Sequence, residues 1–430
     1  MNGNLIIIGN GMASNRILEA LGTEHPFNAV HVFSDERCNH YNRIMLSPLL
    51  AQETTIQAIT PHDDDWYSER RIRVHLGQPV TRVDTHNQCL STANGRTFDY
   101  TRLVFATGSR SAMPILPGID AVNVMGFRTM SDVEQMLQTI PNIQHATVVG
   151  AGLLGVEAAV GLKAQGIDVT LMHRNPVLMN RQLDAQGSRL LEAELVRRGI
   201  QVQTGVNPTS LIKNDQNHVE TLEFQHRFTN GTANNVDKTT EAITTQLVVF
   251  ATGILPNTEL ATVAGLQVDR GICVDASMQT SANYVFALGE CCQYEQHTYG
   301  LVAPIWDQAS VVAQQLLNQQ TAPTPYEEKD HLTKLKVSGM DIHSIGHFTP
   351  RKEPDPITGM QDEIMTLEDL SRGIYKKLVI NNQRVRGALC IGDVLDSSWY
   401  YELMSSQTDI SSIRNLMILG QRWITDGQAA

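Results

Sequence analysis

Two short stretches place glycines where a backbone could receive an anion: Gly9-Asn10-Gly11-Met12-Ala13-Ser14 and Gly150-Ala151-Gly152-Leu153-Leu154-Gly155. Each follows a strand-like run, Leu5 to Ile8 in the first case and Thr147 to Val149 in the second. Each precedes a helical pattern. Ile17, Leu18 and Leu21 mark the inner face of the first helix, and the second should run from about Leu153 to Gln165 before stopping at Gly166. In a strand–turn–helix unit of this kind the glycines let the backbone approach a pyrophosphate seated on the helix N-terminus. The second stretch carries all three glycines of the G-x-G-x-x-G pattern, while the first has Ser14 in the third place. Serine is still small enough for close helix–strand packing.

The strands that come next end differently. AVHVF runs into Ser34-Asp35-Glu36, and Asp35 could accept bonds from both hydroxyls of a ribose. VTLMHRN ends in His173 and Arg174 instead of an acid. An acid there would hold free ribose hydroxyls and repel a 2′-phosphate, whereas Arg174, with Arg181 seven residues later, would pair with that phosphate. The pattern therefore predicts acceptance of NADPH, with two solvated surface arginines as the alternative. Two fingerprints imply two dinucleotides. A nicotinamide delivers its electrons as a hydride, and FAD is the natural second dinucleotide to receive it.

Other segments would close the nucleotide sites. Ala106-Thr107-Gly108 and Ala251-Thr252-Gly253 each end a buried strand in a tight small-residue turn. NYVFALGECCQY ends a strand at Gly289-Glu290, where the carboxylate could hold a ribityl hydroxyl. GLVAPIWDQASVVAQQLL opens a helix near Val302 and Ala303 whose N-terminus could stabilise negative charge on a reduced flavin.

These elements predict an α/β chain with two Rossmann-like, three-layer dinucleotide-binding domains and a C-terminal α+β domain. The FAD domain should comprise 1–113 and 256–325, the NAD(P) domain 114–255 inserted within it, and the C-terminal domain 326–430. In that last part KLKVSG, DIHSIGHF and the pair IYKKLVI and QRVRGALCI read as antiparallel strands, the pair joined through Asn381-Asn382. Helices are expected around Trp399 to Met404 and from about Ser411 to Leu419. HDDDWYSER reads as a helix start capped by Asp64 or Asp65 rather than as a metal site.

Composition narrows the classes. The net charge of −12 over 430 residues argues against nucleic acid and anionic membranes as partners. Six cysteines form no CxxC, so no redox pair or iron–sulfur cluster is expected, and the fourteen histidines show no metal-ligand spacing. With no signal-like N-terminus and no apolar run of about 18 residues, a cytoplasmic location is expected.

The order of GNGMAS, YNRIMLS, ATGS, FRTMSD, GAGLLGVE, ATGILPNT, ALGE and YGLVAPIWDQA resembles the two-dinucleotide flavoprotein family of rubredoxin, ferredoxin and putidaredoxin reductases and the nitrite reductase large subunit. Tyr41-Asn42-Arg43, KLKVSGMDIHSIG and SWYYELMSSQTDIS are most similar to its nitrate/nitrite assimilation branch. The resemblance implies that Gly9, Gly11, Met12 and Ala13 bind the FAD pyrophosphate, Asp35 the adenosine ribose, and that Arg43, Ser47, Val80, Ala106, Thr107, Gly108, Arg128, Gly289, Glu290, Val302 and Ala303 line the flavin site. It implies further that Gly150, Gly152, Leu153, Leu154, Gly155, Glu157, Ala251 and Gly253 serve the nicotinamide dinucleotide. Arg43 and Glu157 would act nearest the chemistry, with Glu157 orienting the nicotinamide or pairing with a cation such as Arg43. The branch usually carries glutamate where this chain has His173.

A stand-alone electron-transfer subunit is expected, because the sequence holds neither the cysteine-rich cluster module nor the sirohaem half of the long nitrite reductases. Its partner would be a nitrate or nitrite reductase catalytic subunit or an iron–sulfur carrier, and the C-terminal domain could dock that partner or make a homodimer. A rubredoxin- or ferredoxin-type reductase and a slowly turning flavin-binding sensor are the alternatives.

Overall fold

The computed structural model describes residues 3–227, 239–317, 324–337, 339–356 and 359–427. Contacts divide the chain into two compact units, one of Met1–Ala112, Arg128–Val133 and Gly253–Lys329, the other of Met113–Phe127, Glu134–Thr252 and Asp330–Ala430. This cut differs from the three expected domains in two places. Arg128–Val133 joins the first unit because Arg128 bonds to Ser109 and Glu290 and the Met130 N–H to Tyr41. The C-terminal sheet joins the second unit, where Lys377 and Tyr375 both reach Asp184. In the sequence Pro323 and Pro325 mark a linker before the C-terminal domain, and Pro323 lies outside the described residues.

The first unit is built on a five-stranded parallel sheet in the order Val285–Ala287, Arg102–Phe105, Asn4–Ile8, Ala29–Phe33, Ile72–His75. Its central strands read as unbroken apolar runs because helices cover both faces, and Leu5, Ile6 and Ile7 are fully buried. Helix Met12–Leu21 packs against helix Val302–Leu317 on one side. A three-stranded antiparallel sheet, Val80–Asp84, Cys89–Thr92 and Thr97–Asp99, is added beside it. The helix at Asp64–Glu69 is capped by Asp63, which accepts from the Trp66 N–H, one residue earlier than expected.

The second unit repeats the parallel design in the order Ile200–Thr204, Asp168–His173, His145–Val149, Val248–Phe250, Val124–Gly126. Its C-terminal part is an antiparallel sheet in the order Thr333–Val337, Met340–Gly346, Arg384–Ile391, Ile374–Asn381, Glu363–Asp369. The hairpin turn falls on Asn382 and Gln383, with φ of 46° and 54°, not on Asn381-Asn382, because Asn381 still pairs with Arg384. Two left-handed residues are what a two-residue turn matched to strand twist requires. Glu363–Asp369 was not expected as a strand; it is an edge whose half-buried side carries only Met365 and Leu367 as apolar residues, so its alternation is short.

Helix Ser397–Ser405 stands where one was expected, but Ser411 to Leu416 runs in turns and the last helix is Gln421–Gly427. Ile410, Ile413 and Met417 have helical spacing, yet the Ile410 N–H is held by the Gln383 carbonyl at 2.9 Å, so the segment follows the hairpin instead.

Candidate functional site

The two glycine turns are built alike. Gly9 has φ 107° and donates its N–H to the Phe33 carbonyl at 2.8 Å; Gly150 has φ 108° and donates to the Met172 carbonyl at 2.7 Å. A Cβ would lie 2.1 Å from the Ala106 carbonyl oxygen at Gly9 and 2.4 Å from the Ala251 carbonyl oxygen at Gly150. Only glycine fits such a place, since both the conformation and the neighbouring backbone exclude a side chain. The third position separates the two units. At Gly155 a Cβ would stand 1.7 Å from the Gly150 carbonyl oxygen. At Ser14 the side chain is accommodated and its hydroxyl donates to the Gly9 carbonyl at 2.5 Å. The serine therefore braces the turn.

Both helices that leave these turns have open N-termini. The N-caps are Gly11 and Gly152, neither supplies a side-chain cap, and neither first turn holds an acid. The first N–H groups of each helix, around Met12 and Ala13 and around Leu153 and Leu154, thus have no intrahelical acceptor and face an anion favourably. In the first turn both polar atoms of the Asn10 side chain are buried without a hydrogen-bond partner. A buried amide left so is costly unless something else meets it. These residues fit the pyrophosphates of two dinucleotides.

A network of charges borders the first turn. Glu36 pairs with Arg43 and accepts the Tyr41 hydroxyl at 2.8 Å, and Arg43 donates to the Arg128 carbonyl at 3.2 Å. The Arg128 guanidinium pairs with Glu290 and donates to the Ser109 carbonyl at 3.0 Å, while the Ser109 hydroxyl donates to Glu290 at 2.8 Å. Burial, then the Arg43 charge, brings Arg128 down to about 10. Burial works against the Arg43 charge too, but Tyr41 and Glu36 outweigh it and hold its pKa above the ordinary value. Arg128 itself is fixed by a helix start in which Asp132 accepts the N–H of both Arg128 and Thr129 at 2.8 Å, and the Asp132 N–H bonds back to the Thr129 hydroxyl. The sequence reading picked out Arg43, Arg128 and Glu290 but missed Glu36 and Ser109. The only signal for Glu36 was its place next to Asp35, which is exposed at the strand end.

The second strand end departs from its expected form. His173 is 9% exposed and its Nδ1 accepts the Ala151 N–H at 3.1 Å, so Nε2 carries the ring hydrogen. Burial and then Arg174 lower its pKa, which keeps the ring neutral. The potential cation is therefore a neutral brace of the glycine turn. Arg174 and Arg181 are exposed, and neither meets a carboxylate among the described residues.

The remaining candidates fall into the same two units. The Thr107 hydroxyl donates to the Asn257 carbonyl at 2.7 Å and the Asn257 amide returns a bond to the Thr107 carbonyl at 2.8 Å, locking the turn of Ala106, Thr107 and Gly108. Gly253 has φ 128° with open space where a Cβ would be. The Gly289 N–H donates at 2.8 Å to Gln308, fully buried on the helix that begins at Val302 and Ala303. Ser47 is half-buried on a short helix and Val80 starts the antiparallel sheet. Glu157 is half-buried, one turn beyond Leu153 on the same helix face, in the other unit from Arg43, whose carboxylate partner within its own unit is Glu36. Cys291 and Cys292 are buried, donate to backbone carbonyls, and burial raises both thiol pKa values. Among the described residues no group of three or more His, Cys, Asp or Glu side chains could hold a metal ion, and no helix is long and apolar enough to cross a membrane.

His40 supplies a pH-dependent test of this region. It is buried beside the first turn, its Nδ1 meets the Asn10 carbonyl at 3.3 Å, and burial, joined by Arg43 and His62, pushes its pKa from 6.5 down to about 4. The unfolded chain takes up the proton near pH 6.5 that the folded ring refuses until about pH 4. This contribution to stability is thus fully present above pH 6.5 and is lost as pH falls toward 4. His40→Gln should flatten the fall in the urea midpoint between about pH 7 and about pH 5; an unchanged slope would remove His40 as its source.

Residues 3–314 match the Pyridine nucleotide-disulphide oxidoreductase family and residues 332–408 the Rubredoxin NAD+ reductase C-terminal domain. The chain is 36% identical over 416 residues to nitrite reductase (NAD(P)H) of Bacillus subtilis (strain 168), covering 96% of this chain and 49% of that protein. It is 34% identical to the assimilatory nitrate reductase electron transfer subunit of the same organism, covering 96% and 51%. It thus spans about half the length of both relatives. It is 30% identical to the nitric oxide reductase FlRd-NAD(+) reductase of Vibrio vulnificus (strain YJ016), covering 81% of this chain and 87% of that one. The covalent putidaredoxin reductase–putidaredoxin complex has the same fold, with a TM-score of 0.82 at 22% identity over 100% of this chain and 99% of that one. Glycine turns of one design on two parallel sheets are what such a fold needs for two nucleotides, and the chain belongs to the pyridine nucleotide-disulphide oxidoreductase family.

Proposed function

We propose that the protein oxidises NAD(P)H and passes the electrons to a protein acceptor, as the electron-transfer part of an assimilatory nitrate or nitrite reductase. The observation that carries this reading is the pair of open glycine turns in one chain whose adjacent thiols, Cys291 and Cys292, are buried and held in the neutral form. These adjacent thiols are not poised as a redox pair, and this reading therefore sends electrons that enter at one turn to an external acceptor. In this reading residues 1–113 and 256–325, joined by Arg128, hold FAD, the remainder of 114–255 holds the nicotinamide nucleotide, and 326–430 face the partner.

Bound together, the two cofactors would supply hydride transfer followed by release of single electrons. The chain's part is positional. The helix N-termini after Gly11 and Gly152 hold the two pyrophosphates, and the Arg128–Glu290 pair orients a ribityl hydroxyl. The helix from Val302 favours negative charge at its start. Names borne by relatives at 36% and 34% identity support the nitrate or nitrite branch. A rubredoxin-type acceptor is the second reading, favoured by the match of residues 332–408 to a rubredoxin reductase C-terminal domain.

Anaerobic addition of NADH or NADPH should bleach the flavin, and the reduced protein should then reoxidise faster with a nitrite or nitrate reductase catalytic subunit than with rubredoxin or ferredoxin. The reverse order would select the second reading, and absence of bleaching would leave only a binding protein. Arg174→Ala should raise the NADPH concentration needed for half-maximal reduction by about tenfold, the loss of one charge-assisted contact, with NADH unchanged. No effect on either nucleotide would make Arg174 a solvated surface residue, and equal weakening of both would move its contact to a part the two nucleotides share.

A further inference from the structure

The loop that carries Arg174 and Arg181 is held from both ends. On the strand side, the Met179 N–H donates to the Ala151 carbonyl at 2.8 Å, and the Ala151 N–H donates to His173. On the helix side, the Leu178 N–H donates to the Ser188 hydroxyl at 2.8 Å. Leu178, Met179 and Leu183 are buried, so the loop is a packed platform with its two arginines turned outward. Its far end is Asp184, the cap of helix Ala185–Arg197, whose Oδ1 accepts the Gly187 N–H at 3.0 Å.

The other oxygen of Asp184 belongs to the C-terminal sheet. Oδ2 accepts Lys377 at 2.9 Å and the Tyr375 hydroxyl at 2.8 Å, from neighbouring residues of strand Ile374–Asn381. The side chains of this ion pair are only 10% and 17% exposed, so the contact is far less screened than a surface pair. Beside it, a Cβ on Gly187 would lie 2.8 Å from Ile391 Cδ1, so the sheet rests directly on the first turn of the helix. Burial opposes ionisation of Asp184, but the bonds from Gly187, Lys377 and Tyr375 hold its carboxyl below the ordinary range. A continuous path of hydrogen bonds and packed side chains thus runs from the C-terminal sheet through the arginine loop to the second glycine turn.

We propose that Asp184, clamped by Lys377 and Tyr375, is a positioning residue through which the C-terminal sheet sets the arginine loop and with it the discrimination between nucleotides with and without a 2′-phosphate. This rests on the reading of Arg174 and Arg181 as 2′-phosphate partners. The C-terminal sheet then acts on nucleotide choice as well as on any redox partner.

The test uses the 430-residue chain loaded with FAD and two probes, 2′,5′-ADP and 5′-ADP, with binding followed by calorimetry. Wild type should bind 2′,5′-ADP more tightly. Lys377→Met should weaken 2′,5′-ADP by about three- to tenfold and leave 5′-ADP within about twofold, the size of effect typical for residues that couple to a site without touching it. Tyr375→Phe, the milder change, should move the same ratio in the same direction and covers the case in which the lysine variant does not fold. In an Arg174→Ala/Arg181→Ala background the Lys377→Met effect on the ratio should disappear, which a general loss of stability would not produce. Equal weakening of both probes, or none, in variants of a wild type that does discriminate overturns the clamp while leaving the arginines in place. A wild type that binds both probes equally overturns the arginine reading and the clamp together.

Discussion

Gly155→Ala should slow reduction of the flavin by NADH and by NADPH about a hundredfold while the protein stays yellow. The added Cβ would stand 1.7 Å from the Gly150 carbonyl oxygen and 3.3 Å from the Ala251 Cβ. Neither neighbour can swing aside, because one is backbone in the glycine turn and the other closes the adjacent strand. Helix Leu153–Ala164 must therefore retreat from the turn by on the order of 1 Å, carrying its N-terminal N–H groups with it. A displacement of that size at a positioning element is enough to cost about 10²-fold in rate. FAD should remain bound, because the other turn, around Gly9, belongs to the other unit. The measurement is anaerobic rapid mixing with each nucleotide, alongside the FAD content of the purified variant. Reduction within about threefold of wild type would mean that the close approach at Gly155 has no bearing on nucleotide binding. Ser14→Ala is the matching control in the first turn. It keeps a Cβ that the structure already accommodates and loses only the bond to the Gly9 carbonyl, about 1 kcal/mol of stability with little effect on rate.

Arg128→Met should give a protein that unfolds at clearly lower urea and retains little FAD. Glu290 has a side chain only 15% exposed, and removing the guanidinium leaves its carboxylate with the Ser109 hydroxyl as its remaining partner among the bonds described above. Breaking a buried pair from one side costs about 3–5 kcal/mol, because the surviving charge is left uncompensated. The same argument predicts that Arg128→Met combined with Glu290→Leu is more stable than Arg128→Met alone, although it binds FAD no better. Urea unfolding of the two apoproteins, with FAD affinity measured separately, tells charge desolvation from loss of a ligand contact. If the double variant is as unstable as the single one, the cost lies in packing around Arg128 and not in the charge of Glu290.

Much of the framework was legible without coordinates because its causes are local in the chain. A buried parallel strand, a glycine turn and the helix after it are contiguous, so Asn4–Ile8 and His145–Val149 with their turns could be read from about twenty residues each. Helix Met130–Thr139 was not among the expected helices, although the cause of its start is local too, since Thr129 and Asp132 satisfy each other's backbone within one turn. The hairpin between Ile374–Asn381 and Arg384–Ile391 was visible from its alternation, but its turn lay one residue further on than expected. That offset arose because the choice among polar residues at the tip is made by strand register, which the alternation alone leaves open.

What only the tertiary structure decided are the partnerships between residues far apart in sequence. Arg128 and Glu290 are separated by 162 positions, and Lys377 and Asp184 by 193, so no periodicity or spacing could join them. Glu36 and Asp35 are adjacent and chemically alike, yet the fold turns one onto Arg43 and leaves the other exposed. His173 could be a cation on paper, and burial against the Ala151 N–H makes it a neutral brace. The sequence by itself determined where nucleotides could approach the backbone, because strand, turn and helix propensities act over a few residues. Which charges meet, and which of them keep their protons, was decided by burial and by contacts between distant segments.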